Sequence, residues 1–138
     1  MINNDRGAIE RALSSPTWAV VGLSANHHRV AHGVAAFLQA QGIRIVPVNP
    51  RAESALGERG YSQLSDIDFP IDVVDIFRRS DQAGQHVDEA ISIGARAVWL
   101  QLGVIDEEAA DRAAKAGLDV VMDTCPMIEW PSHVPHIG

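Results

Sequence analysis

The stretch Trp18-Ala19-Val20-Val21-Gly22-Leu23-Ser24-Ala25-Asn26-His27-His28-Arg29, running on from Val30 to Phe37, decides how this chain reads. Trp18 to Val21 is a continuous apolar run of strand length, and a glycine follows at once. A polar loop then gives way to Val30, Val34, Phe37 and Leu38, apolar residues at helical spacing. Strand, glycine turn and helix make the first half of a βαβ unit. The loop after such a strand lies at the carboxyl end of the sheet and faces the helix N-terminus. The unpaired N–H groups and partial positive charge of that terminus suit an anion.

The same alternation extends in both directions. Asp5 is placed to cap a helix at about 6–14. Strands read at about 18–22, 43–48, 72–77, 97–102 and 118–122, and helices at about 30–41, 81–93 and 106–116. The connection over 51–70 is the least regular, with a short strand expected near 60–61 and a turn of helix near 62–66. The tail from Asp123 to Gly138 holds three prolines and reads as irregular. The strands are apolar along their whole length, as strands buried on both faces are. The fold class expected is α/β, a three-layer doubly wound parallel sheet, which binds ligands across the carboxyl ends of its strands at the switch point. Ser24, Asn49, Arg78, Gln101 and Asp123 each stand at or just past the end of an expected strand.

At 138 residues the chain has the length of one domain, and 46% hydrophobic residues suffice for a packed core. The net charge of −7 comes without a basic stripe, which argues against a nucleic-acid partner. No apolar run approaches the roughly 20 residues of a membrane span. Met1 to Arg11 has no apolar signal-peptide core, and Cys125 has no second cysteine to pair with. The expected location is therefore the cytoplasm.

The residues at the strand ends narrow the ligand. Gly22 is followed by Ser24 and then only by Gly33, so the dinucleotide pattern Gly-x-Gly-x-x-Gly is not met. Ser24 can donate a hydroxyl to phosphate and Arg29 can pair with one through two N–H groups. After the second strand stands Val48-Asn49-Pro50-Arg51, a cation where an NAD site places a carboxylate. That favours a phosphorylated ribose, as in NADP or coenzyme A, the other reading of Arg51 being a solvated surface arginine. Phe77 can pack on adenine or on an apolar part of a ligand. Arg78 and Arg79 can meet phosphates or pair with Asp75 and Asp81. Gln101-Leu102-Gly103 offers an amide and open backbone. Cys125 reads either as an inert buried thiol or as one near a bound thiol. His28 and His32 stand one helical turn apart, a spacing that metals use, but solvated or phosphate-facing histidines are the plainer reading. Trp18 and Trp99 read as core. No nucleophile–base pair, close carboxylate pair or metal cluster is evident.

In this order, Val20-Val21-Gly22-Leu23-Ser24, Arg29, Ile45-Val46-Pro47-Val48-Asn49-Pro50, Asp72-Val73-Val74-Asp75-Ile76-Phe77-Arg78-Arg79-Ser80, Val98-Trp99-Leu100-Gln101-Leu102-Gly103-Val104 and Val121-Met122-Asp123-Thr124-Cys125-Pro126 form a specific set. Together they resemble the small stand-alone CoA-binding proteins, whose fold is that of the CoA-binding domain of succinyl-CoA synthetase. The resemblance covers about residues 15–131 of a single domain spanning 1–138. It implies a Rossmann-type sheet of order 3-2-1-4-5-6, with the short strand near 60 as the third. It also implies coenzyme A, or an acyl-CoA, lying over the strand ends. Gly22, Leu23, Ser24 and Arg29 would then meet the phosphates, and Val48, Asn49, Pro50 and Arg51 would line the adenosine 3′-phosphate side. Ile76, Phe77, Arg78 and Arg79 would border the nucleotide, and Gln101, Gly103 and Cys125 would lie toward the far end. The chain departs from the family at Val30-Ala31-His32, where Pro-Ser and an aromatic are usual, so a hydroxyl at the helix start is missing. The implied function is coenzyme A binding without catalytic machinery. The alternatives are an NADP-binding enzyme or sensor, and a CoA-binding subunit acting in trans with an ATP-binding acyl-CoA synthetase chain. A homo-oligomer is compatible with each.

Overall fold

The computed structural model describes residues 4–137. Met1 to Asn3 and Gly138, the ends of the expected domain, lie outside the described residues. The elements are α1 (Arg6–Leu13), β1 (Thr17–Val21), α2 (Val30–Ala40), β2 (Arg44–Val48), a 3-10 turn (Leu64–Asp66), β3 (Val73–Ile76), α3 (Ser80–Ser92), β4 (Ala97–Leu100), α4 (Glu107–Lys115), β5 (Asp119–Met122) and α5 (Pro126–Ile137). The strands form one parallel sheet in the order β2-β1-β3-β4-β5. None of the described helices is long and apolar enough to cross a membrane.

Alternation along each strand sends its side chains to two cores. Ala19, Val21, Val74, Ile76, Val98 and Leu100 face α3 and α4. Trp18, Val20, Val73, Trp99 and Val121 face α1, α2 and α5. The two buried tryptophans sit side by side, with ring centroids 5.5 Å apart. Their indole N–H groups donate to Ala12 O at 3.2 Å and Thr124 O at 2.9 Å, so neither polar tip is left unpaired.

Two expectations need correction. The strand near 60–61 is a single bridge: Tyr61 N–H donates to Pro47 O and Asn49 N–H to Tyr61 O, each at 3.0 Å. Pro47 lies on the outer side of β2 and has no N–H to offer there, so the ladder cannot propagate. The sheet therefore has five strands, in the expected order with the third omitted.

The tail is not irregular, because α5 occupies Pro126–Ile137. Pro126 takes the first helical position, where a missing N–H costs nothing. Later prolines surrender i→i−4 bonds, but the helix is held by tertiary contacts. Trp130 meets Phe37 of α2 edge-on at 5.5 Å. His133 is buried between Glu10 of α1 and Glu129, with nitrogen–oxygen distances of 3.3 Å to each. Thr124 donates its hydroxyl to Glu129 at 2.5 Å, tying the helix to the end of β5.

Candidate functional site

The strand order reverses at β1, whose neighbours are β2 on one side and β3 on the other. At its carboxyl end Gly22 N–H donates to Val48 O at 2.8 Å, and Phe77 N–H donates to Val21 O at 2.9 Å. Gly22 has φ +102, and a Cβ built on it would lie 2.7 Å from Phe77 O. Only glycine allows the β1 and β3 loops to close this tightly. A crevice opens above this junction.

Two helices point their N-termini into the crevice, and their caps set them apart from those of α1 and α4. Asp5 and Asp106 close α1 and α4 by accepting from Ala8 N–H at 3.1 Å and Ala109 N–H at 3.0 Å. The cap positions of α2 and α3 are Arg29 and Arg79, which make no side-chain capping bond. The N–H groups of His32 and Gln82 donate to the cap carbonyls of Arg29 and Arg79 at 3.1 and 2.8 Å, which leaves those of Val30, Ala31, Ser80 and Asp81 open to a ligand, and the residue at each cap is a cation. Among the described residues Arg29 and Arg78 form no ion pair with a carboxylate. Arg78 donates to Gln82 Oε1 at 2.5 Å, whereas Arg79 lies 3.3 Å from Asp81. Burial, and then the charge of Arg78, push His86 below the usual imidazole range.

The crevice consists of two adjoining recesses. The first, of about 520 Å³, is bordered by Ser24, Arg29, Asn49, Pro50, Arg78 and Arg79. The second, of about 440 Å³, is bordered by Val30, Ala31, Phe77, Gln101, Leu102 and Val104. Gly22, Arg29, Phe77 and Arg78 belong to both. The polar recess lies toward β2 and the apolar one toward β4. Gln101 is buried, and its Oε1 has no hydrogen-bond partner among the described residues.

The structure gathers many of the residues singled out from sequence and assigns others to support. Asn49 spends its whole amide on protein: it donates to Leu23 O at 2.9 Å and Glu53 O at 3.0 Å, and accepts from Arg51 N–H at 3.2 Å and Glu53 N–H at 2.9 Å. It locks the 49–53 turn against the loop after β1. Leu23, Val48 and Ile76 bury their side chains in the two cores, leaving only backbone for a ligand. Arg51 is exposed and borders neither recess. Gly103 donates its N–H to Asp123 Oδ1 at 2.8 Å, which pins the loop after β4 to the end of β5. Cys125 is buried on the α1–α2–α5 side and also borders neither recess.

Val30, Leu102, Val104 and Gln82 line the recesses without having been singled out as ligand contacts from the sequence, and His28 and Ala31 line one as well. The apolar ones carried a signal, since they sit in the loop or first turn after a strand where polar residues are expected. His28 stacks on His27 with centroids 4.2 Å apart, and His32 lies 6.3 Å from His27. Among the described residues no three His, Cys, Asp or Glu side chains gather as a metal site.

Comparison with known proteins identifies the family and the fold. The family described as CoA binding domain matches residues 16–131. The chain belongs to this CoA-binding family. Protein YneT of Bacillus subtilis (strain 168) is 40% identical over 126 residues, which are 91% of this chain and 93% of that protein. A solved structure from Pyrococcus horikoshii OT3 superposes with a TM-score of 0.88 at 34% identity, over 94% of this chain and 92% of that one. The dinucleotide-forming acetyl-coenzyme A synthetase 1 of Ca. Korarchaeum cryptofilum, solved with phosphate and ADP, shares the fold at a TM-score of 0.75 and 24% identity. That match takes in 88% of this chain and 28% of the synthetase chain.

Proposed function

We propose that this member of the CoA-binding family binds coenzyme A across the carboxyl ends of its strands, in the cytoplasm and without chemistry of its own. The observation that carries the reading is the pair of unlike recesses joined at Gly22, Arg29, Phe77 and Arg78. Coenzyme A has parts to match: a phosphorylated adenosine, a central pyrophosphate and a pantetheine arm that is largely apolar but carries two amides. The pyrophosphate takes the middle, against the open ends of α2 and α3 and the guanidinium groups of Arg29 and Arg78. The adenosine takes the recess beside Ser24, Asn49 and Pro50, and Arg51, exposed just beyond Pro50 and outside the recess lining, would have to reach over to serve the 3′-phosphate. The pantetheine runs toward Gln101 and Val104, where an amide N–H supplies the partner that Gln101 Oε1 lacks.

The test is a calorimetric titration of ligand-stripped protein with coenzyme A, 3′-dephospho-coenzyme A, NADP and NAD. The expected result is binding of coenzyme A that weakens when the 3′-phosphate is removed. Binding of NADP with coenzyme A silent would overturn the reading in favour of a dinucleotide site.

A further inference from the structure

The recess on the β4 side, which the coenzyme A reading gives to the pantetheine arm, carries exposed apolar side chains at its border. Val30 is 72% exposed and Leu102 is 59% exposed, and both border this recess. Ile105, 49% exposed, follows in the same loop. The large exposed hydrophobic side chains among the described residues are these three with Met127 and Ile128. All five belong to loops or first helical turns that leave the carboxyl end of the sheet. Two of them, Val30 and Leu102, border the concave opening itself, and exposed apolar side chains at such a place mark a binding surface.

The loop that carries Leu102 is held in place. Gly103 has φ +85 and donates to Asp123 at 2.8 Å. Val104 N–H donates to Gln101 O at 2.8 Å, and Ile105 N–H donates to Ser80 Oγ at 2.9 Å. The apolar surface is thus presented by a fixed loop and a helix start. It is continuous with the recess that holds Gln101, where the reactive end of a pantetheine arm would emerge.

We propose that the physiological ligand is an acyl-CoA with an apolar acyl chain, and that Val30, Leu102 and Ile105 receive that chain. The inference rests on the coenzyme A reading above and adds the acyl class to it. The acyl chain covers side chains that otherwise face water, and each methylene it buries is expected to tighten binding about fourfold.

The experiment is a titration of the full chain with coenzyme A and with its acetyl, butanoyl and hexanoyl thioesters. It is repeated on Leu102→Ser and Val30→Ser, whose exposed positions leave the core intact. The expected result is affinity rising along the series, with hexanoyl-CoA at least tenfold tighter than coenzyme A. Either serine variant should reduce that hexanoyl-to-free ratio several-fold. Equal or weaker binding of the thioesters, with coenzyme A still bound, would overturn the acyl proposal and leave the coenzyme A reading standing. Silence from the whole series would overturn both.

Discussion

Replacing Asp75 by asparagine should make the protein more stable, by an amount that grows with pH. Asp75 lies in the middle of β3, opposite Val20 and Trp99, on the side packed by α1, α2 and α5. It is fully buried, and neither carboxyl oxygen has a hydrogen-bond partner among the described residues. Burial holds its carboxyl well above the usual carboxylate range. Below the unfolded-state value, about 3.9, both states keep the proton and ionisation costs nothing. Above it the unfolded chain releases the proton while the folded chain retains it. Stability then falls by about 1.4 kcal/mol per pH unit until the folded value is reached.

Asparagine has no such linkage, and the other carboxylates cancel when the variant and parent are compared. Urea unfolding of both proteins in steps from pH 4 to pH 8 reads the difference directly. The variant should pull ahead of the parent as the pH rises above 4, with a slope that approaches about 1.4 kcal/mol per unit, and the gap should level off once the folded value is passed. Two stability curves that run parallel across this range would refute the argument. They would mean that Asp75 ionises in the folded state as readily as in water.

Three more outcomes follow from the site. Gly22→Ala forces a Cβ to 2.7 Å from Phe77 O at a φ of +102, so thermal unfolding should show a loss of at least about 1–2 kcal/mol, and coenzyme A affinity should fall with the displaced β3 loop. On the coenzyme A reading, Arg29→Ala would remove a charge-assisted contact to the pyrophosphate, and calorimetry should register a loss of about 1.5–3 kcal/mol in coenzyme A affinity at unchanged fold. Asp106→Ala uncaps α4, away from the crevice; denaturant unfolding should detect a cost of about 1 kcal/mol while coenzyme A titrations stay as they were.

The order of elements and the position of the crevice were legible in the sequence because both rest on local rules. Buried strands declare themselves as short apolar runs, and helices by their spacing. A residue just past a strand of a doubly wound sheet necessarily lies at the ligand end. Gly22, Ser24, Arg29 and Arg78 were found on that logic, and they border the recesses.

Other features required the whole molecule. The bridge at Tyr61 depends on which side of β2 Pro47 turns its missing N–H, and α5 survives its prolines through contacts with α1 and α2. Leu23, Val48 and Ile76 are adjacent in sequence to recess-lining residues yet bury their side chains in the cores, which only the packing of the helices on the sheet decides. Asp75 reads in sequence as an ordinary strand-end acid, and only packing from α1, α2 and α5 removes it from water. The apolar recess joins Val30 and Ala31 to Phe77, Leu102 and Val104, residues far apart in the chain. Sequence periodicity reports the environment of a segment along its own axis, whereas a recess between segments exists only once the sheet has fixed their separation.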